Sequence, residues 1–245
     1  MKKLALIAAA CMVTFGAAAQ HADIGIHGGF GTSWMINNNI SDQGGNLDPE
    51  LTMVPVFGIH MGYSINKTLG IRTEINYALI SQKYKGEEAP NYKFTGKDHN
   101  TYLELPVLLM LQSGAFYCEV GPKFSFITGA RSDYKDEQGS SSLEEKNVNV
   151  LTSYKNAFVS AVLGVGGNFK LSKGWYLNAG LRFSWGLGDA TREFKETDIL
   201  SGNVPDYVST TTTYAHQDQK GLYSYEKTHV ATGHIIIGLS RRFPY

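Results

Sequence analysis

The sequence predicts an all-β protein: an eight-stranded antiparallel up-and-down transmembrane β-barrel over residues 20–245, behind a signal peptide at 1–19. Three observations carry that prediction. Apolar side chains recur with period two along much of the chain, long and short connections alternate between those stretches, and the first residues have the layout of an export leader. The run "YLELPVLLML" shows the first of these most clearly. A membrane-spanning helix needs about 20 residues, and an interior proline costs a helix roughly 3 kcal/mol. Read as a strand, it sets Leu103, Leu105, Val107, Leu109 and Leu111 on one face and Tyr102, Glu104, Pro106, Leu108 and Met110 on the other.

The leader comes first. "MKKLALIAAACMVTFGAAAQ" opens on Lys2 and Lys3, continues through an apolar stretch and reaches Ala17, Ala18 and Ala19, after which cleavage is expected. An uncleaved helical anchor, or a lipoprotein-type cleavage before Cys11, are the competing readings. With the leader removed, Cys118 is the remaining cysteine, so no intramolecular disulfide is expected.

The strands follow in order. "ADIGIHGGFG" places Ile24, Ile26 and Phe30 on one face, and "PVFGIHMGYS" places Phe57, Ile59, Met61 and Tyr63 opposite His60. "LGIRTEINYAL" opposes its apolar series to Arg72 and Glu74. After "YLELPVLLML", "FYCEVGPKFSFI" sets Phe116, Cys118, Val120, Pro122, Phe124 and Phe126 against Tyr117, Glu119 and Lys123. "FVSAVLGVGGNF" and "WYLNAGLRFSWG" continue the pattern, the latter with Arg182 on its polar side. "HIIIGLSRRF" closes the series, with Ile235, Ile237, Leu239 and Phe243 against His234 and Arg242. Each stretch is near the 9–11 residues of a transmembrane strand.

The connections are asymmetric. "NKT", "QSG" and "KLSKG" are tight; Met35 to Val54, "SQKYKGEEAPNYKFTGKDHN", "ARSDYKDEQGSSSLEEKNVNV" and the stretch between "WYLNAGLRFSWG" and "HIIIGLSRRF" are long and polar. Short periplasmic turns and long external loops are the habit of outer-membrane barrels, whereas a structureless connection of about forty residues argues against a compact soluble domain. The leucine face then meets lipid and the mixed face the lumen. A closed sheet pairs every backbone amide where no water can. Pro106 removes one ladder donor, so a local bulge is expected there. Tyr63, Phe116, Phe169 and Trp175 near the short turns, and Trp34, Tyr84, Tyr102 and Trp185 near the long loops, are expected to form the two aromatic belts. A lipocalin-like soluble barrel, the competing fold, would put the charged face outside.

"YLELPVLLML", a short turn and "YCEVGPKFSFITGA", together with "GIHGGFG" and the final "IIIGLSRRFPY", resemble the outer-membrane β-barrel family of Bacteroidetes that includes PorT-like, small "porin family" barrels. The resemblance spans the mature chain. It implies a barrel in the outer membrane and raises a role in protein secretion.

Charge and motifs narrow the chemistry. Lys plus Arg and Asp plus Glu number 22 each, so no large basic field invites nucleic acid. The inward set is expected to be Arg72, Glu74, Glu104, Glu119, Lys123, Arg182, His60 and His234, three carboxylates against three permanent cations. An eight-stranded barrel is narrow enough for side chains to fill, which favours a structural ion-pair plug over a gated ion path or ligand cavity. For catalysis, His229 or His234 with Ser160 or Ser184, and Glu74 or Glu104 as acids, supply residue types without a local signature, and no G-x-S-x-G elbow occurs. The histidines are dispersed and "SDYKDEQ" lacks calcium-loop spacing, so neither metal nor cofactor is expected.

The expected function is therefore non-enzymatic: a structural, adhesion-like or secretion-associated component. A narrow selective channel is the alternative, and a lipid-modifying enzyme the third reading. Outer-membrane lipid is the expected partner, with a protein partner through the external loops or the periplasmic side. "DYVSTTTTYAH" is expected to extend strands above the membrane as a hairpin and offer a binding surface.

Overall fold

A computed structural model describes residues 21–44, 47–88, 92–138, 141–197, 207–218 and 220–244. The leader at 1–19, Asp206 and the terminal Tyr245 lie outside the described residues. Eight strands form the wall: β1 (His21–Ile36), β3 (Thr52–Ser64), β4 (Leu69–Glu88), β5 (Tyr92–Ser113), β6 (Phe116–Gln138), β8 (Ala157–Ser172), β9 (Trp175–Gly186) and β10 (His229–Pro244). Each pairs antiparallel with its neighbour in this sequence, and β1 pairs with β10 from His21↔Pro244 to Ile36↔His229. The ring is thus closed, up-and-down and without a free edge, the arrangement hydrocarbon demands of a sheet. Both described chain ends sit at the short-turn end, where His21 pairs with Pro244 and with Ser64. Two of those turns use glycines with positive φ, Gly114 (62°) and Gly174 (81°), a region other residues rarely enter.

Alternation sorts the wall as the sequence predicts. Leu103, Val107, Leu109 and Leu111 are exposed on the outside, while Tyr102, Glu104, Leu108 and Met110 are buried within. The outward series on β9 runs from Trp175 to Trp185, both exposed. Between them the strand rises about 33 Å, or about 25 Å in height once tilted by about 40°, the thickness of an outer-membrane apolar band.

Three expectations are corrected. Pro106 causes no bulge: the β5–β6 register shift lies between Thr101 and Tyr102. Around Pro106 the β4–β5 register is unchanged, and pairing is only interrupted between Thr73↔Val107 and Asn76↔Glu104. On the other side, pairing pauses between Pro106↔Lys123 and Leu109↔Val120, opposite Pro122. Each proline removes one donor, and the ladder skips it rather than shifting. Tyr84 and Tyr102 are fully buried inside the barrel and belong to no belt, since both occupy inward positions of the alternation. Finally, the threonine-rich stretch forms no hairpin; it folds into a short helix, α2 (Thr210–Ala215), behind α1 (Asn38–Asp42) in the chain.

The long connections are more ordered than their composition suggests. β4 and β5, of 20 and 22 residues, continue past the membrane band as one hairpin, joined at its edge by β2 (Asp48–Glu50). β6, of 23 residues, turns back into β7 (Ser141–Asn149), and a 3-10 turn at Leu151–Ser153 leads down to β8.

Candidate functional site

The lumen is built in layers. Inward residues of adjacent strands meet at mid-height because the register places them there: His60 faces Glu74 across β3–β4, and Glu119 reaches Gly164 across β6–β8, which in turn faces Arg182 on β9. Arg182 is the hub. Its Nη1 and Nη2 donate to Glu74 at 2.6 and 2.9 Å, and its Nε donates to Glu119 Oε1 at 2.7 Å. Arg72 Nη1 lies 3.6 Å from the other Glu119 oxygen and its guanidinium sits over the Tyr117 ring at 5.3 Å. Lys123 Nζ binds Glu104 at 2.7 Å and Ser184 Oγ at 3.1 Å. His60 contacts His27, Nδ1 to Nδ1 at 3.3 Å, and His27 Nε2 stands 3.6 Å from Glu74.

All eight residues expected inside do point inward, and the structure joins six of them into two ion-paired groups, Arg72–Glu119–Arg182–Glu74 and Lys123–Glu104. His60 joins the first group through His27; His234 lies on the same wall face, half-buried, with no hydrogen-bond partner at Nε2. Asp23 and His27, outside the expected set, are buried as well, for the alternation that puts Ile24 and Ile26 outside puts these inside. Glycine makes the room. A Cβ on Gly164 would stand 2.5 Å from Glu119 Oε1, and one on Gly62 would stand 2.0 Å from Asp23 Oδ2.

Above the ion pairs lies an apolar layer of Met35, Ile80, Tyr102, Val150, Tyr154, Phe158 and Val230. α2 covers it. Asp98, fully buried on β5, accepts from the Thr211 amide at 2.8 Å, from Thr211 Oγ1 at 2.6 Å and from Ser132 Oγ at 2.7 Å. Tyr84 OH lies 2.8 Å from Thr211 Oγ1. Ser209 caps the helix by accepting from the Thr212 amide, and Thr212 Oγ1 donates to the Ser153 carbonyl. Gly96 lets the helix approach: a Cβ there would stand 2.5 Å from Thr210 Oγ1.

The rest of the long connection has a polar centre of its own. Asp189 accepts from Lys155 (2.6 Å), Tyr225 OH (2.5 Å), Thr191 and the Thr228 amide. Burial pushes its carboxyl pKa up, but the bonds from Lys155 and Tyr225 outweigh burial and hold it below the usual value. His216 Nε2 accepts from the Phe194 amide at 2.8 Å and Nδ1 lies 2.7 Å from the Thr212 carbonyl, so the neutral ring serves both bonds. Burial lowers its pKa below the ordinary value.

The Ser and His candidates for catalysis are not brought together. Ser184 bonds Lys123 and Thr232, and His229 bonds the Gly186 carbonyl and stacks on Trp185. A different set does meet, on the outer wall at the long-loop end. Ser81 Oγ lies 3.2 Å from His99 Nδ1, and His99 Nε2 lies 3.4 Å from Asp133 Oδ2, with Asp133 Oδ1 accepting from the Asn147 amide at 2.7 Å. No local signature marks these residues in the sequence, because they come from three strands. Cross-strand pairing of Ser81 with His99 sets the first contact.

A closed eight-stranded wall, apolar outside and ion-paired within, defines a transmembrane barrel of the outer membrane. Residues 18–192 match the family described as "Outer membrane protein beta-barrel domain", and the chain belongs to it. No curated protein matches the sequence. Among solved structures it is similar to Neisserial surface protein A (12% identity, TM-score 0.40, 91% of this chain and 97% of that one). It is also similar to OprG from Pseudomonas aeruginosa (10%, TM-score 0.39, 92% and 98%). A third is the attachment invasion locus protein Ail of Yersinia pestis (11%, TM-score 0.35, 91% and 99%).

Proposed function

We propose that this outer-membrane barrel is a sealed, non-enzymatic surface component, which holds an ordered set of external loops for contact with a protein partner and passes no solute. The observation that supports this reading is the double closure of the lumen: Arg182 spans it from β9 to Glu74 on β4 and Glu119 on β6, and α2 caps it through Asp98. A bidentate guanidinium bridging two buried carboxylates is costly to open, since breaking one buried pair costs about 3–5 kcal/mol. The resemblance to PorT-like barrels favours secretion-associated assembly as the setting for such contact. Planar-bilayer recording of the refolded protein tests the sealed lumen: no steady current is expected, and a stable open-channel current would transfer the reading to a selective channel. Pull-down from detergent-solubilised envelopes, with loop-exchanged protein as control, tests the partner.

A second reading, lipid modification, is favoured by one observation, the Ser81–His99–Asp133 series. It supplies a nucleophile, a base and an orienting acid on the outer face of the wall at the long-loop end. It ranks second because Ser81 is 6% exposed, so an ester reaches Oγ only after neighbouring wall side chains move. Hydrolysis of a phospholipid ester by the refolded protein, lost in Ser81→Ala, would raise it to first.

A further inference from the structure

The last strand carries a cation on the outer face of the wall, in line with its apolar series. The outward series of β10 is Ile235, Ile237, Leu239, Arg241 and Phe243, all exposed, so Arg241 faces lipid rather than lumen. It sits at the height of Trp175, its register partner on β9, beside the β8–β9 turn. Its guanidinium carbon is 5.7 Å from the Trp175 ring centroid and 5.5 Å from that of Phe243. These two ring contacts are its interactions among the described residues; no carboxylate pairs with it there. A lipid-facing arginine costs about 2–4 kcal/mol at the bilayer midplane and close to nothing at the interface, which places Arg241 among the headgroups.

The surroundings select the headgroup. The short-turn end carries Lys67, Lys170, Lys173, Arg241 and Arg242, and its one described side-chain carboxylate, Asp23, is buried and turned to the lumen. The Arg242 amide donates to the Gly174 carbonyl at 2.7 Å, which ties Lys173 and its turn to this end of β10. A neutral headgroup brings an ammonium into that field along with its phosphate; a net-negative one does not. The planar guanidinium fork matches two phosphate oxygens, and the rings hold it in place beforehand.

We propose that Arg241, held by Trp175 and Phe243, binds the phosphate of an anionic phospholipid in the periplasmic leaflet, with Lys173 adding attraction from the adjoining turn. The acyl chains lie along the apolar wall of Leu177 and Leu239.

Native mass spectrometry of the full barrel in neutral detergent tests this, with phosphatidylglycerol and phosphatidylcholine supplied in equal amounts. The protein is expected to retain phosphatidylglycerol in preference. Arg241→Gln should lower that retention about fivefold, the effect of one cation at an anionic surface. Lys146→Gln at the opposite end should leave it unchanged. Equal retention of the two lipids, an undiminished signal in Arg241→Gln, or an equal fall in Lys146→Gln would each overturn the proposal. Displacement by soluble glycerol phosphate would also overturn it, by showing a free-phosphate site. The heat-dependent gel shift of a folded barrel confirms that the variants compared are native.

Discussion

Arg182 carries more of the interior than any other side chain, because two carboxylates depend on it. Arg182→Gln leaves Glu74 and Glu119 facing each other with Arg72 alone nearby, and it should destabilise the barrel by about 3–5 kcal/mol in urea titrations from lipid vesicles. Lys123→Gln removes one pair only, Glu104, and should cost less. His216 gives a pH dependence in the cap. Its folded pKa is lowered, so the released loop takes up the proton first; the stabilisation is intact at neutral pH and fades as pH falls below about 6.5. The protection factor of the Phe194 amide, measured against its intrinsic exchange rate at each pH, should therefore fall in acid, and His216→Gln should flatten that response. At this scale the sequence was legible wherever a charged residue interrupted an otherwise apolar strand: Glu74, Glu104, Glu119, Lys123 and Arg182 all announce the inward face. The partners were not legible. Equal numbers of carboxylates and cations do not say that Arg182 takes two and Lys123 one, since that depends on register between strands distant in the chain. Asp23 and His27 escaped notice because glycines around them weaken the contrast between faces.

Elements divide at the membrane surface. Within the band every strand separates hydrocarbon from a charged interior, and that contrast wrote the alternation into the sequence. Above it both faces are polar or wet. The upper halves of β4, β5 and β6 therefore read as charged loops, although Lys83 and Lys85 outside and Tyr84 inside keep the period. The hairpin expected where α2 forms fails for a related reason. Threonine favours strands on a half-buried surface, yet Thr211 and Thr212 are buried by bonding to Asp98, Ser153 and the Ser209 cap, and Thr210 is buried beside Gly96. The helix thus depends on a carboxylate more than a hundred residues earlier. Asp98→Ala should release it at a cost of about 2 kcal/mol, seen as lost exchange protection over Thr211–Ala215 with the wall strands unchanged. If the apolar layer alone holds the cap, protection will persist.

For the whole molecule, balanced charge conceals a separation: permanent cations with no exposed side-chain carboxylate among the described residues mark the short-turn end, and both signs mix in the external hairpins. The barrel is defined by which medium each face of its wall meets. Cys118 reports this directly, for it is the free cysteine of the described residues, exposed on the outer face of β6 between Phe116 and Val120. A nitroxide attached to Cys118 of the barrel refolded into phospholipid vesicles should relax strongly with dissolved oxygen, which concentrates in hydrocarbon, and weakly with a water-soluble nickel chelate. The opposite order would mean that this face meets water, and the barrel described here would be inside out.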